Sequence, residues 1–234
     1  MECYQSAVEP TTPIADGRGL IGGRGEDRVG RGRAAPLLYR CVLQPYEAPP
    51  DLAAGRAFFA EGPVEVEIGF ARGHFFKDRM AQAPGTRFLG FEVRRMWVEQ
   101  LARWIDRRDD DRARLVLADA RPLLEQILTP DTVTAFHVFF PDPWWKKRHE
   151  KRRVMTSDTV RSMHTLLAPG GSVCFRTDVP AYFEVVNALL SAHGGFEMAE
   201  AEQAPDGQPL PWTHRQQKCA ALGIAVHSLR ARKR

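Results

Sequence analysis

The sequence predicts an α/β fold, a mostly parallel sheet with helices on both faces. Two observations carry this. Short apolar or β-branched segments alternate with segments of helical period along most of the chain, and the strand-like segments are bounded by Gly or Pro. The 234 residues, 44% hydrophobic and 26% charged, suit one globular domain and exclude collagen-like, wholly disordered and disulfide-scaffold classes.

The elements follow in order. Residues 1–36 interleave seven glycines (Gly17 to Gly32) with five arginines and show no apolar periodicity, so a disordered tail is expected. An arm that touches RNA, an inert tail and a misplaced start codon are its alternative readings. Residues 37–234 form the predicted domain, opening with a transition segment over 37–60 that contains Pro45, Pro49 and Pro50. Val64-Glu65-Val66-Glu67-Ile68 reads as a strand, 74–83 as a helix and 87–92 as a second strand. Trp97, Leu101, Trp104 and Ile105 fall at helical spacing within 95–106. A strand at 114–118, a short helix at 123–128, a strand at 135–140 and a helix at 157–167 come next. Gly170-Gly171 then breaks the chain before a strand at 172–177, a helix at 181–192 and strands at 196–201 and 224–230.

No run approaches the roughly 18 apolar residues of a membrane span. Met1-Glu2-Cys3-Tyr4 lacks both a basic start and an apolar stretch, so the cytoplasm is the expected compartment. Cys3, Cys41, Cys174 and Cys219 are far apart, at neither metal-ligand nor redox spacing, which predicts free thiols and no metal. The net charge is only +4, yet all but six of the 33 basic residues are arginine. Codon bias and phosphate binding both explain that excess, and position must separate them.

The first strand runs into Glu67-Ile68-Gly69-Phe70-Ala71-Arg72-Gly73, where small residues let a ligand approach the backbone or simply make a tight turn. The spacing is G-x-A-x-G, and His74 stands where a dinucleotide fingerprint needs its last glycine, which disfavours NAD. Glu92 ends the second strand about twenty residues past the turn, where an acid of a doubly wound fold accepts from ribose hydroxyls. Asp119 ends the third strand, as a ligand contact or as the cap of the next helix. Glu67, Glu92 and Asp119 thus share the rim where open α/β sheets bind ligands.

After the fourth strand comes Phe139-Phe140-Pro141-Asp142-Pro143-Trp144-Trp145, in which two prolines fix the backbone around Asp142. Six cations follow closely: Lys146, Lys147, Arg148, Lys151, Arg152 and Arg153. Such a run is usually a solvated face. Beside a rigid acidic turn and two tryptophans it points to nucleic acid, cations for phosphate and aromatic faces for a base.

In these motifs the sequence resembles the bacterial tRNA (guanine-N7)-methyltransferases. The acid-Ile-Gly turn, the acid after strand two, Asp119-Ala120, Phe139-Phe140-Pro141-Asp142-Pro143-Trp144 with its basic sequel, and Arg176-Thr177-Asp178 appear in the family's order. The resemblance covers about residue 64 to the C-terminus. It implies a Rossmann-like class I S-adenosylmethionine-dependent methyltransferase that acts on N7 of a guanine in the tRNA variable loop. It implies cofactor contacts from Glu67, Glu92, Asp119 and Asp142, with the turn glycines Gly69 and Gly73 beside them. For the guanine it implies Asp142, Lys146, Asp178 and the stretch from Thr213 to Gln216. Lys147, Arg148, Lys151, Arg152 and Arg153 are then expected on the tRNA backbone, and Asp142 nearest the transferring methyl.

The chain departs from the family pattern at Ala71, usually glycine, at Trp145, usually histidine or similar, and at Gln216, usually glutamate. The missing carboxylate predicts a slow enzyme, because an acid there would oppose the charge developing on the guanine ring. Two other readings stand beside this one. An amino-methyltransferase on adenine or glutamine carries a related Asp/Asn-Pro-Pro-aromatic motif at the same rim. A non-catalytic tRNA-binding paralogue would fit Ala71 and Gln216.

Overall fold

In a computed structural model of the chain, the structure describes residues 37, 39–44, 49–199 and 201–234. The expected N-terminal tail over 1–36 lies outside them. The chain enters through a two-residue strand β1 (Val42–Leu43) and a helix α1 (Pro49–Phe59). It then alternates through β2 (Val64–Ile68), α2 (His74–Gln82), β3 (Arg87–Glu92), α3 (Arg95–Asp106), β4 (Ala113–Leu117), α4 (Leu124–Ile127) and β5 (Val133–Phe139). A 3₁₀ helix (Lys147–Arg152), α5 (Ser157–Leu166), β6 (Leu167–Thr177), α6 (Pro180–Ala192), β7 (Phe196–Ala199), α7 (His214–Ala221) and β8 (His227–Lys233) complete it.

The sheet order is β1-β4-β3-β2-β5-β6-β8-β7. All pairs are parallel except β6 with β8 and β7 with β8. Strand order reverses between β2 and β5, so the chains leaving these two strands diverge and open a crevice at their carboxyl ends. Apolar clusters fill both sides of the sheet: Val64, Val66, Phe136 and Phe175 belong to one, Phe76, Phe88, Leu101 and Leu115 to the other.

Four local readings change. The prolines over 37–60 do not prevent a helix: Pro49 and Pro50 begin α1, where a missing N–H breaks no helical hydrogen bond. Gly170-Gly171 does not break the chain but lies inside β6. There Gly170 has φ 76°, and a side chain on Gly171 would meet the Val133 carbonyl at 2.8 Å, so the pair makes the bulge where β5 and β6 shift register. The last strand starts at His227 rather than at 224 and runs to Lys233. Helix α7, absent from the sequence reading, buries only Gln216 and Cys219 and so lacks an apolar stripe. Its signal is Thr213, whose hydroxyl accepts from the Gln216 N–H at 3.0 Å as an N-cap.

Beneath the crevice lies a buried ionic cluster. Arg79 of α2 and Glu65 of β2 are both almost inaccessible, joined by Nη2 to Oε1 at 2.7 Å and Nε to Oε2 at 2.9 Å. Arg79 also donates to Asp206 at 2.9 Å, and His137 Nε2 donates to Glu65 Oε2 at 2.8 Å. Burial alone would raise the Glu65 carboxyl; hydrogen bonds from His137 and Arg79 override it and hold it at about 2. Arg79→Leu therefore leaves a buried carboxylate without its main partner and should destabilise the fold by about 3–5 kcal/mol in urea unfolding. In the wild type, the contribution of Glu65 is fully present above the ordinary carboxylate value of 4.5 and is lost as pH falls toward 2.

Candidate active site

The loop after β2 is shaped by a carboxylate. Glu92, at the end of β3, accepts from the Ala71 N–H at 2.9 Å through Oε2, and from the Val93 and Arg94 N–H groups at 2.8 and 2.9 Å through Oε1. It thereby clamps the β2 and β3 loops together. Gly69 (φ 82°) and Gly73 (φ 67°) turn this loop with left-handed backbone, and Ala71 takes φ 45° between them without being glycine. Phe140 (φ 52°) and Trp144 (φ 44°) are left-handed as well. Three of the five such non-glycine residues among the described residues thus border one crevice, which marks it as a site where strain is retained.

Two adjoining cavities fill the crevice. The first, about 500 Å³, is lined by Glu92, Asp119, Arg121 and Trp144 among others. The second, about 560 Å³, reaches Glu67, Gly73, Asp178, Thr213 and Arg215. They share Gly69, Ala71, Arg94, Trp97, Phe139, Phe140, Pro141 and Asp142. Asp142 is exposed and stands at the junction.

Asp119 is not a helix cap, since α4 is preceded by Leu123 at its cap. Its carboxylate accepts from the Arg121 N–H and Nε, both at 3.0 Å, and that hydrogen bond, with the guanidinium charge, holds it below the ordinary aspartate value. Arg121 goes on to donate to the Lys151 carbonyl, joining the first cavity to the basic segment. Arg121, two residues past Asp119 in the turn Asp119-Ala120-Arg121, is its sequence signal.

Glu67 is buried, lines the second cavity, and its Oε2 meets no donor among the described residues. Burial, with the negative charge of Glu92, pushes it up to about 8. A carboxyl group in this state is matched to a cationic ligand that replaces its proton.

On the opposite wall, Asp178 accepts from Arg215 Nε at 3.1 Å, so that guanidinium covers one oxygen of the carboxylate. Gln216 is not at this wall. It is buried behind it, with Oε1 accepting from Arg176 Nη1 at 2.9 Å, and it lines neither cavity. Its side chain is committed to Arg176, which also donates to the Pro211 carbonyl at 2.9 Å and to Glu202 at 2.6 Å, fixing the entry to α7.

Of the basic residues, Lys146, Arg148, Lys151 and Arg152 are exposed, and Arg152 lies 5.0 Å from the centroid of the Trp144 ring. The Lys147 side chain lies outside the described residues. Arg153 turns inward and donates to the Pro143 carbonyl at 2.9 Å, so it holds the Asp142 loop rather than extending toward solvent. Trp97 and Arg94, shared by both cavities, were missed as site residues because helical spacing gave Trp97 a core role and Arg94 was one arginine among many.

A family model described as "Putative methyltransferase" matches residues 61–229. A tRNA (guanine-N(7)-)-methyltransferase of Thiobacillus denitrificans is 36% identical over 211 residues, covering 88% of this chain and 92% of the relative. The chain belongs to the tRNA (guanine-N7)-methyltransferase family. Its relative of the same name from Burkholderia lata is 34% identical over 93% of this chain and 85% of its own. Among solved structures, the 16S rRNA methyltransferase KamB (TM-score 0.54, 15% identity) and the aminoglycoside resistance methyltransferase NpmB1 (TM-score 0.52, 17% identity) each match 80% of this chain and 94% of their own. These two share the methyltransferase fold.

The position of Gln216 yields a test of one expectation drawn from the family pattern. Gln216→Glu places its carboxylate on buried Arg176 and away from the cavity, so single-turnover methylation by this methyltransferase should stay at the wild-type rate. A clear gain in rate would put residue 216 back at the reacting base.

Proposed function

We propose that the protein transfers the methyl group of S-adenosylmethionine to N7 of a guanine in tRNA, in the cytoplasm. The observation that carries this reading is the pair of cavities meeting at Asp142, one lined by acids suited to a nucleoside and the other by Asp178 and Thr213. The sheet order, the crevice at its switch point and the family support it together. No helix among the described residues is long and apolar enough to cross a membrane.

S-adenosylmethionine supplies a methyl group activated by an adjacent sulfonium. The residues present fit it: Glu67, buried and without a donor, suits an ammonium group, and Glu92 and Asp119 line the cavity beside it. Glu92 has three backbone donors already, which leaves one lone-pair direction of its carboxylate for a ribose hydroxyl. Asp119 takes the adenine side. Guanine N7 has an in-plane lone pair and no proton, so with the cofactor bound it would take the methyl group by displacement, the carbon–sulfur electron pair leaving with the sulfur. No general base is needed. The protein's part is alignment and charge: Asp142, at the junction of the two cavities, would stand nearest the methyl, the free oxygen of Asp178 and Thr213 would orient the base, and Lys146 with the exposed cations would grip the backbone.

Labelled S-adenosylmethionine with unmodified tRNA should yield 7-methylguanosine on nuclease digestion. Asp142→Asn should lower the single-turnover rate by roughly 10²–10³ while the variant still binds both ligands. Label on an exocyclic nitrogen would favour the amino-methyltransferase, and binding without transfer the paralogue. Neutralising Lys146, Arg148 and Lys151 together should flatten the log–log salt dependence of tRNA binding by about 2, at roughly 0.7–0.9 per contact. An unchanged slope would make the run a solvated face.

Glu67 gives a pH test. Because its proton must leave when an ammonium binds, cofactor affinity should climb as pH rises toward about 8 and then level. Glu67→Gln should bind more weakly and lose that part of the climb. Identical pH profiles would remove Glu67 from the cofactor site.

A further inference from the structure

The cation excess has a second concentration, outside the basic run. At 100° per residue, Trp97, Trp104 and Arg108 share one stripe of α3 and its extension, with Glu99 and Asp106 on the far side of the helix. Cations of the neighbouring α2 segment cover the tryptophans: the Arg72 guanidinium stands 5.2 Å from the Trp97 ring centroid, and Lys77 Nζ 5.5 Å from that of Trp104. Arg108 lies 4.1 Å from the same Trp104 ring. Each ring thus carries at least one cation over it.

Lys77, Arg107 and Arg108 have no carboxylate within ion-pair distance among the described residues; of the acids that follow, Asp109 pairs with Arg40 and Asp110 with Arg112, while Asp111 is exposed and forms no ion pair among those residues. Burial and the positive charges of Arg108 and Arg107 pull Lys77 below its ordinary value, against the opposing charge of Asp78. These three cations stand together on this flank, with Asp78, Asp106 and Asp111 as the exposed acids beside them. Stacking on the rings also restrains these long side chains before any anion arrives, which lowers the entropy lost on binding.

This cluster is continuous with the site. Trp97 and Arg72 line the cavity at the rim, and α3 descends from there, so Arg108 stands eleven residues beyond Trp97, about 16 Å along the helix. The 3₁₀ helix with the first basic run follows β5, on the other side of the crevice from β3 and α3.

We propose that the flank formed by Lys77, Arg107 and Arg108 is a second phosphate-binding surface that holds a stretch of the substrate RNA away from the target nucleotide. The two cationic segments then bracket the crevice and fix the RNA at two points. This rests on the reading of the protein as a tRNA methyltransferase. It deepens that reading by placing part of the recognition outside the guanine pocket. The surface suits phosphate rather than bases, so it contributes affinity and orientation and carries no sequence readout.

The test uses the full chain, with Lys77→Ala, Arg107→Ala and Arg108→Ala combined. Binding is measured against salt for an unmodified full-length tRNA and for a short hairpin carrying the target guanine. Full-length tRNA should bind more weakly, with the log–log slope lower by about 2. Hairpin and cofactor affinities should match the wild type, and the variant Arg107→Lys with Arg108→Lys should keep wild-type tRNA binding. If the wild type binds tRNA and the triple variant binds it equally well at every salt, the proposal fails alone, leaving a solvated face or a protein contact. Equal losses on tRNA and hairpin would also overturn it, by placing these cations at the target. A wild type that binds neither RNA overturns the functional reading and the proposal with it.

Discussion

Two glutamates on one face of the central strand, one neutralised and one not, set the terms for the rest of this molecule. Residues i and i+2 of a strand point the same way, and β2 lies in mid-sheet with both faces covered, so Glu65 and Glu67 are both buried. Arg79 and His137 satisfy Glu65. Burial lowers the His137 pKa against the pull of Glu65, so its ring is neutral and donates from Nε2. Glu67 lies one residue pair nearer the carboxyl end, beyond these partners, and faces the cavity. The ion cluster thus ties α2 to the sheet, while the same strand delivers to the cavity an acid with no donor among the described residues.

The crevice above is built by similar means, with side chains holding backbone. Glu92 gathers three N–H groups from two loops, Arg153 takes the Pro143 carbonyl, and the Phe140 N–H donates to the Arg176 carbonyl at 2.7 Å. These bonds keep Ala71, Phe140 and Trp144 in left-handed conformations that each cost about 1–2 kcal/mol. Arg176 and Arg79 perform a parallel task for the segment before α7, through Glu202 and Asp206. The cavity wall that carries Thr213 is therefore positioned from the core outward.

Much of this was legible in the sequence. The strands of the parallel core announce themselves by apolar runs between glycines and prolines, and β2, β3 and α3 lie where the pattern placed them. The rim acids could be read because strand ends are where ligands bind in such sheets. What escaped depended on partners distant in the chain. Nothing around Gln216 says that Arg176, forty residues earlier, will claim its side chain, and nothing near Arg153 says that it will turn back to Pro143. Helix α7 lacked an apolar stripe, and the prolines that start α1 look like breakers until the helix is seen. The pairing of Glu65 and the isolation of Glu67 were invisible for the same reason, since alternation makes the two residues look equivalent.

That inequality is the central claim, and carboxyl carbon NMR titration of selectively labelled glutamates measures it directly. In the free protein Glu65 should titrate at about 2 and Glu67 at about 8, and S-adenosylmethionine should leave Glu67 ionised at neutral pH. Two carboxyls that both titrate near the ordinary 4.5, with no response of Glu67 to the cofactor, would contradict the account.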